Sequence, residues 1–245
     1  MSRFRCALLI AATSLLVKAP ALSATPMEAS SGALSSDQLF RNVESFWSQE
    51  VTALGGRYRP PKLKLFSTPI SPGCSAQAAL SGPFYCPVNE TVYLDRTFLH
   101  ELRQRDKEGA DLAVGIVVAH EVAHHIQNII GTTSSVDQAR ANSTPDLAQR
   151  TFTTFELQAD CYAGLWARWA GANGTIKIPA DISAPLDAIA STSQDWQSHL
   201  SAGQKMLDPL SEGSAAQRLK WFRRALDSGN FNDCDTFGAE ATRTL

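Results

Sequence analysis

The sequence lacks a basic stripe interleaved with aromatic residues, and so lacks the electrostatic footprint of a nucleic-acid-binding protein. It lacks any cysteine pair at C-x-x-C spacing, which argues against a thiolate-bound metal. Its apolar run near the N-terminus, Ala7 to Val17, falls short of the ~20 residues that a membrane-spanning helix needs. No internal repeat and no low-complexity domain is present, which excludes a solenoid. What remains is a chain of 245 residues with 44% hydrophobic content and a formal charge of −2, enough for one sizeable core.

The N-terminus reads as an export signal. Arg3 and Arg5 give it a positive start, the apolar run follows, and Ala19, Ala21, Ser23 and Ala24 supply small residues for cleavage after Ala21 or Ala24. A secreted or periplasmic destination is expected, with no stable membrane span after cleavage; the rival is an uncleaved anchor. Residues 1–24 carry Arg3, Arg5 and Lys18 and no acidic residue, so their removal leaves the chain more negative. Cys6 departs with them, and Cys74, Cys86, Cys161 and Cys234 remain. An even count in an exported protein reads as two disulfides. Four cysteines allow three pairings; the expected one joins Cys74 to Cys86 across a local loop and uses Cys161–Cys234 to tie down the C-terminus. Residues 25–35, rich in Ala, Ser, Thr, Gly and Pro, read as a flexible leader, and residues 36–245 as the folded domain.

The stretch that carries chemistry is Ala119-His-Glu-Val-Ala-His-His-Ile-Gln127, which contains the H-E-x-x-H pattern. On a helix, His120 and His124 lie one above the other, so two imidazoles can face one small ion. Glu121 sits roughly 100° round the helix, placed to act on a water without being a ligand. Leu112, Ala113, Ile116, Val117, Ala119 and Ala123 make this helix apolar on most sides, and imidazoles in such a place need partners. Gly131 closes it where a left-handed cap residue is expected. His125 is turned away from His124 and reads as a packing or supporting residue.

Around it, helical periodicity runs from Ser36 to Leu54, from Phe98 to Arg105, from about Pro145 to Ala170, from Pro185 to Trp196 and from Ser214 to Ser228. Lys62 to Phe66 and Thr91 to Asp95 read as strands, and Pro72 to Pro87 as a cysteine-stapled loop. The segment between Gly131 and Pro145, rich in Ser, Thr, Asn and Gln, reads as an exposed connection. The sum is an α+β chain, mostly helical, with a small sheet beside the H-E-x-x-H helix.

A hydrolytic zinc site takes three protein ligands and keeps a position for water. No histidine follows His125 until His199, so the third ligand is sought elsewhere. Glu156 and Asp160, four apart in Phe155-Glu-Leu-Gln-Ala-Asp-Cys161, share a helix face. Glu156 is the candidate ligand, and Asp160 the carboxylate that accepts the outer N–H of a ligand histidine and fixes its tautomer. Ala159, Ala163, Gly164 and Ala167 would let this helix approach the first closely.

These blocks, together with Gly73-Cys-Ser-Ala76, Gly82-Pro-Phe-Tyr-Cys-Pro87, Val92-Tyr-Leu-Asp95, Ala216-Gln-Arg218, Trp221-Phe222 and Cys234-Asp-Thr-Phe237, cover most of residues 70–237. In them the chain resembles the bacterial "putative neutral zinc metallopeptidase" family and, more broadly, the gluzincins. The resemblance implies a zincin-like fold, one zinc ion per chain on His120, His124 and Glu156, Glu121 as general base, and a peptide or protein substrate. One departure stands out: Glu212 occupies the place of a family histidine, and a carboxylate there opposes a developing oxyanion. Arg218, Tyr162 and His199 are the remaining candidates for contacting the oxyanion or substrate. The expected function is that of an exported zinc metallopeptidase. The alternative is a zinc-binding protein of the same fold that binds peptides with little or no catalysis; a hydrolase of another amide, such as a cell-wall peptide, has the same signature. Thr91–Asp95 is the candidate sheet edge for pairing with substrate, unless it is an ordinary buried strand.

Overall fold

The computed structural model describes residues 33–74, 79–200, 204–206 and 213–238. The expected signal, most of the leader, and Glu212 lie outside the described residues. The first helix, α1 (Ser36–Ala53), starts at a capping box: the Ser35 hydroxyl accepts from the Gln38 amide, and the Gln38 side chain accepts from the Ser35 amide. Its buried stripe is Leu39, Phe40, Val43, Phe46 and Trp47.

After Pro60 and Pro61 come β1 (Lys62–Phe66), β2 (Ala79–Leu80), β3 (Phe84–Cys86) and β4 (Thr91–Asp95). Three of them form a sheet in the order β1-β4-β3, with β4 parallel to β1 and antiparallel to β3. All five residues of β4 are buried. This corrects the expectation of a sheet edge at Thr91–Asp95: both sides of that strand are paired, and β1 and β3 are the outer strands. The stapled loop expected over Pro72–Pro87 thus contributes β2 and β3, with Cys74 bonded to Cys86 at a Cα separation of 5.7 Å.

Asp95 then caps α2 (Arg96–Arg105) by accepting from the Thr97 and Phe98 amides. The next helix, α3 (Ala110–Ile129), is buried without interruption from Leu112 to Gln127, the mark of a helix packed on every side. The exposed connection expected beyond Gly131 is instead a helix, α4 (Thr132–Ala141). Its only buried residue is Val136, so it shows no apolar periodicity, and its support comes from packing against the following helix. That helix, α5 (Pro145–Ala172), has Thr144 as its cap and proline in its first turn. Then come α6 (Ser183–Ser198), the short β5 (Gln204–Lys205) parallel to β2, and α7 (Ala215–Ser228) with its own capping box. A 3-10 turn, Phe231–Cys234, brings Cys234 to Cys161 at a Cα separation of 5.6 Å.

Helices α1 and α5 pack on α3, and α7 packs on α5. Two glycines permit these approaches. A Cβ at Gly115 of α3 would collide with the Trp166 ring of α5, and one at Gly164 of α5 would collide with the Phe222 carbonyl oxygen of α7. Among the described residues no helix is long and apolar enough to cross a membrane.

Candidate metal centre

From Leu112 to Gln127 α3 is buried throughout, and His120, Glu121, His124, His125 and Gln127 lie among its apolar side chains. Buried polar groups of this kind must be satisfied by specific partners. The Nδ1 of His120 lies 3.1 Å from Asp160 Oδ1, and the Nδ1 of His124 lies 2.8 Å from Gln127 Oε1. Both acceptors are oxygens, so each histidine carries its proton on Nδ1 and keeps a lone pair on Nε2. These two Nε2 atoms sit 3.2 Å apart. Glu156 Oε2, brought in by α5, is 3.2 Å from the first and 3.5 Å from the second.

Three electron-rich atoms at such distances repel unless a cation or shared protons lie among them. Ligand bonds of about 2.0–2.1 Å in a tetrahedron give edges of about 3.3–3.4 Å, so the observed triangle has the size that zinc requires. Donor type and burial agree: two imidazole nitrogens and a carboxylate oxygen, each side chain less than a tenth exposed. The residues present therefore fit a zinc ion with one open position.

Behind the ligands lie two supporting chains. Asp160, fully buried, takes Arg218 Nε on Oδ2 at 2.8 Å and Arg218 Nη2 on Oδ1 at 2.7 Å. Burial alone would raise its pKa, but the charge and hydrogen bonds of Arg218, joined by His120, outweigh burial and hold it at about 2. On the other side, Gln127 Nε2 donates to the Phe155 carbonyl and to Gln158 Oε1, and Gln158 Nε2 donates to the Cys234 carbonyl. Neither Gln127 nor Gln158 belongs to the candidate ligand set of the sequence. Gln127 stands three residues after His124 on one helix, and that spacing was the available signal.

His125 faces away from the triangle. Its Nε2 donates to the Arg59 carbonyl at 2.7 Å and its Nδ1 accepts from the Tyr85 hydroxyl at 2.9 Å. Burial lowers its pKa, and burial pushes the Tyr85 hydroxyl up to about 12. Glu121 is fully buried on α3.

The other predicted site residues are dispersed. Arg218 is buried and holds Asp160. Tyr162 is buried between the rings of Trp47 and Phe231, with centroid distances of 5.4 and 5.0 Å. His199 is exposed and lines a separate recess with Asp95 and Glu101. A cleft of about 500 Å³ opens beside the centre, bordered by His124, Glu156, Tyr85, Phe152 and Phe155.

Residues 17–237 match the family described as "Putative neutral zinc metallopeptidase". The uncharacterized protein YpfJ of Escherichia coli is 34% identical over 200 residues, covering 82% of this chain and 69% of that one. The uncharacterized protein Mb2605 of Mycobacterium bovis is 38% identical over 211 residues, covering 81% and 68%. No solved structure matches the chain at a significant level. With a buried His-His-Glu triangle of zinc dimensions and a family match over most of its length, the chain belongs to the putative neutral zinc metallopeptidase family.

Proposed function

We propose that the protein is an exported zinc-dependent peptidase, and the observation that carries this reading is the triangle of His120, His124 and Glu156 donor atoms beside an open cleft. His120, His124 and Glu156 would hold a zinc ion there, and such an ion would supply Lewis-acid chemistry toward a water and a peptide carbonyl. The carboxylate of Glu121 takes a proton from that water during attack and delivers it to the leaving nitrogen. Asp160 holds the His120 tautomer, and Gln127 does the same for His124. Arg218 acts through Asp160, as a positioning residue. Export is supported by the N-terminal signal pattern and by two disulfides.

A second reading, a peptide-binding protein that has kept the zinc site without catalysis, is favoured by Glu212 in place of a family histidine. One experiment separates the two. The purified chain and its Glu121→Gln variant are offered a diverse peptide pool read by mass spectrometry, with zinc content measured for both. Cleavage by the parent only, at equal zinc, is the expected result. Zinc bound but no cleavage by either points to the binding protein, and absence of zinc from both defeats the site assignment.

A further inference from the structure

We propose that the cleft reads a carboxylate on its peptide through Arg140; this rests on the peptidase reading above and narrows it to a substrate class. A row of stacked groups leads outward from the metal centre. The Phe155 ring stacks on His124 at 5.0 Å, Phe152 follows Phe155 at 6.4 Å, and the Arg140 guanidinium covers Phe152 at 4.5 Å. Phe152, Phe155 and Arg140 all border the cleft.

Arg140 is half-buried, its Nε is sealed from solvent with no hydrogen-bond partner, and it makes no ion pair among the described residues. With its Nε turned inward, a guanidinium held against a ring keeps its two terminal NH2 groups for an outside acceptor, and a carboxylate can accept from both. Lys205 of β5 adds a second positive charge to the same cleft. Among the described residues the acidic groups bordering it are Asp137 and Glu156, and Glu156 belongs to the His-His-Glu triangle. An extended peptide advances ~3.3 Å per residue, so the stacked row places the guanidinium within about five residues of the bond at the metal centre. Two carboxylates come within that reach: an aspartate or glutamate side chain, or the peptide's own C-terminus.

The test offers the zinc-loaded full chain a randomised pool of N-acetylated decapeptides, prepared once with free and once with amidated C-termini. The ratio of acidic to neutral peptides cleaved is read by mass spectrometry. The parent is expected to enrich Glu over Gln, or free over amidated C-termini, at least tenfold, and which of the two is enriched identifies the carboxylate. In Arg140→Gln the ratio is expected to fall to near one at unchanged zinc content. Arg140→Glu is expected to favour basic peptides instead. Arg150→Gln, which removes an exposed charge paired with Asp146, is expected to leave the ratio as in the parent. No acidic enrichment in the parent, or the same enrichment in Arg140→Gln, overturns the proposal. Should the zinc-loaded parent cleave nothing, the peptidase reading fails by itself. The carboxylate reading is then decided by the peptides retained on immobilised parent and Arg140→Gln: acidic enrichment confined to the parent sustains it, and equal retention overturns it.

Discussion

Arg218 supplies no atom to the triangle of His120, His124 and Glu156, yet its guanidinium keeps the carboxylate behind His120 charged and oriented. Removing one member of a buried ion pair costs about 3–5 kcal/mol, because the other is left charged and dry. Arg218→Met is therefore expected to lower stability by about that amount in chemical denaturation. It is also expected to weaken zinc binding about 10–100-fold, the usual effect of losing a group that orients a ligand. Competition with a chromophoric chelator reads the second quantity, and unchanged zinc affinity would remove Arg218 from the supporting chain. Glu44 is a separate case. Burial raises its pKa from 4.5 to about 7, opposed by a hydrogen bond from Tyr58. The folded state thus holds a proton that the unfolded chain releases above about pH 4.5. Stability from this group is complete below pH 4.5 and is lost as pH rises through about 7. Glu44→Gln is expected to flatten that slope, worth on the order of 2–3 kcal/mol, in denaturation curves taken between pH 4 and pH 8.

The contact between α5 and α7 sets where Arg218 stands, and at Gly164 it leaves no room for a Cβ against the Phe222 carbonyl oxygen. Gly164→Ala is expected to force the helices apart, costing about 1–3 kcal/mol in thermal unfolding, with zinc affinity falling alongside as α7 carries Arg218 away. Loss of stability without loss of zinc affinity would show that α7 moves independently of the centre. The long helices were legible because their apolar spacing, caps and terminal glycines all agree, and Glu156 with Asp160 was legible from their spacing of four. The helix α4 was not, since its one buried residue leaves no period to read. The central place of β4 was hidden too, because a five-residue strand pattern does not say how many neighbours will pair with it. Gln158 escaped notice because its partners, Gln127 and Cys234, are 31 and 76 residues away, and the hold of Arg218 on Asp160 likewise spans 58.

Across the described residues, the segment from α7 to Thr236 is a strap over the back of the candidate metal centre. It is fastened by Arg218 to Asp160, by the Cys234 carbonyl to Gln158, by the Thr236 hydroxyl to the Thr154 carbonyl, and by the Cys161–Cys234 disulfide. That disulfide bridges a sequence separation of 73 residues, and its removal is expected to cost about 2–5 kcal/mol. The double variant Cys161→Ser with Cys234→Ser is also expected to bind zinc more weakly. Opening Cys74–Cys86, whose Cys74 borders the cleft, is expected to change peptide cleavage more than zinc affinity. The strap has a consequence in time. Synthesis runs from the N-terminus, so His120, His124 and Glu156 have emerged while Arg218 and Cys234 are still unmade. A nascent or reduced chain carries every ligand but not the frame that aims them. On the reading proposed above, tight metal binding, and with it peptide cleavage, is expected only once Arg218 and Cys234 have been made and Cys234 has been oxidised, outside the compartment in which the chain is synthesised.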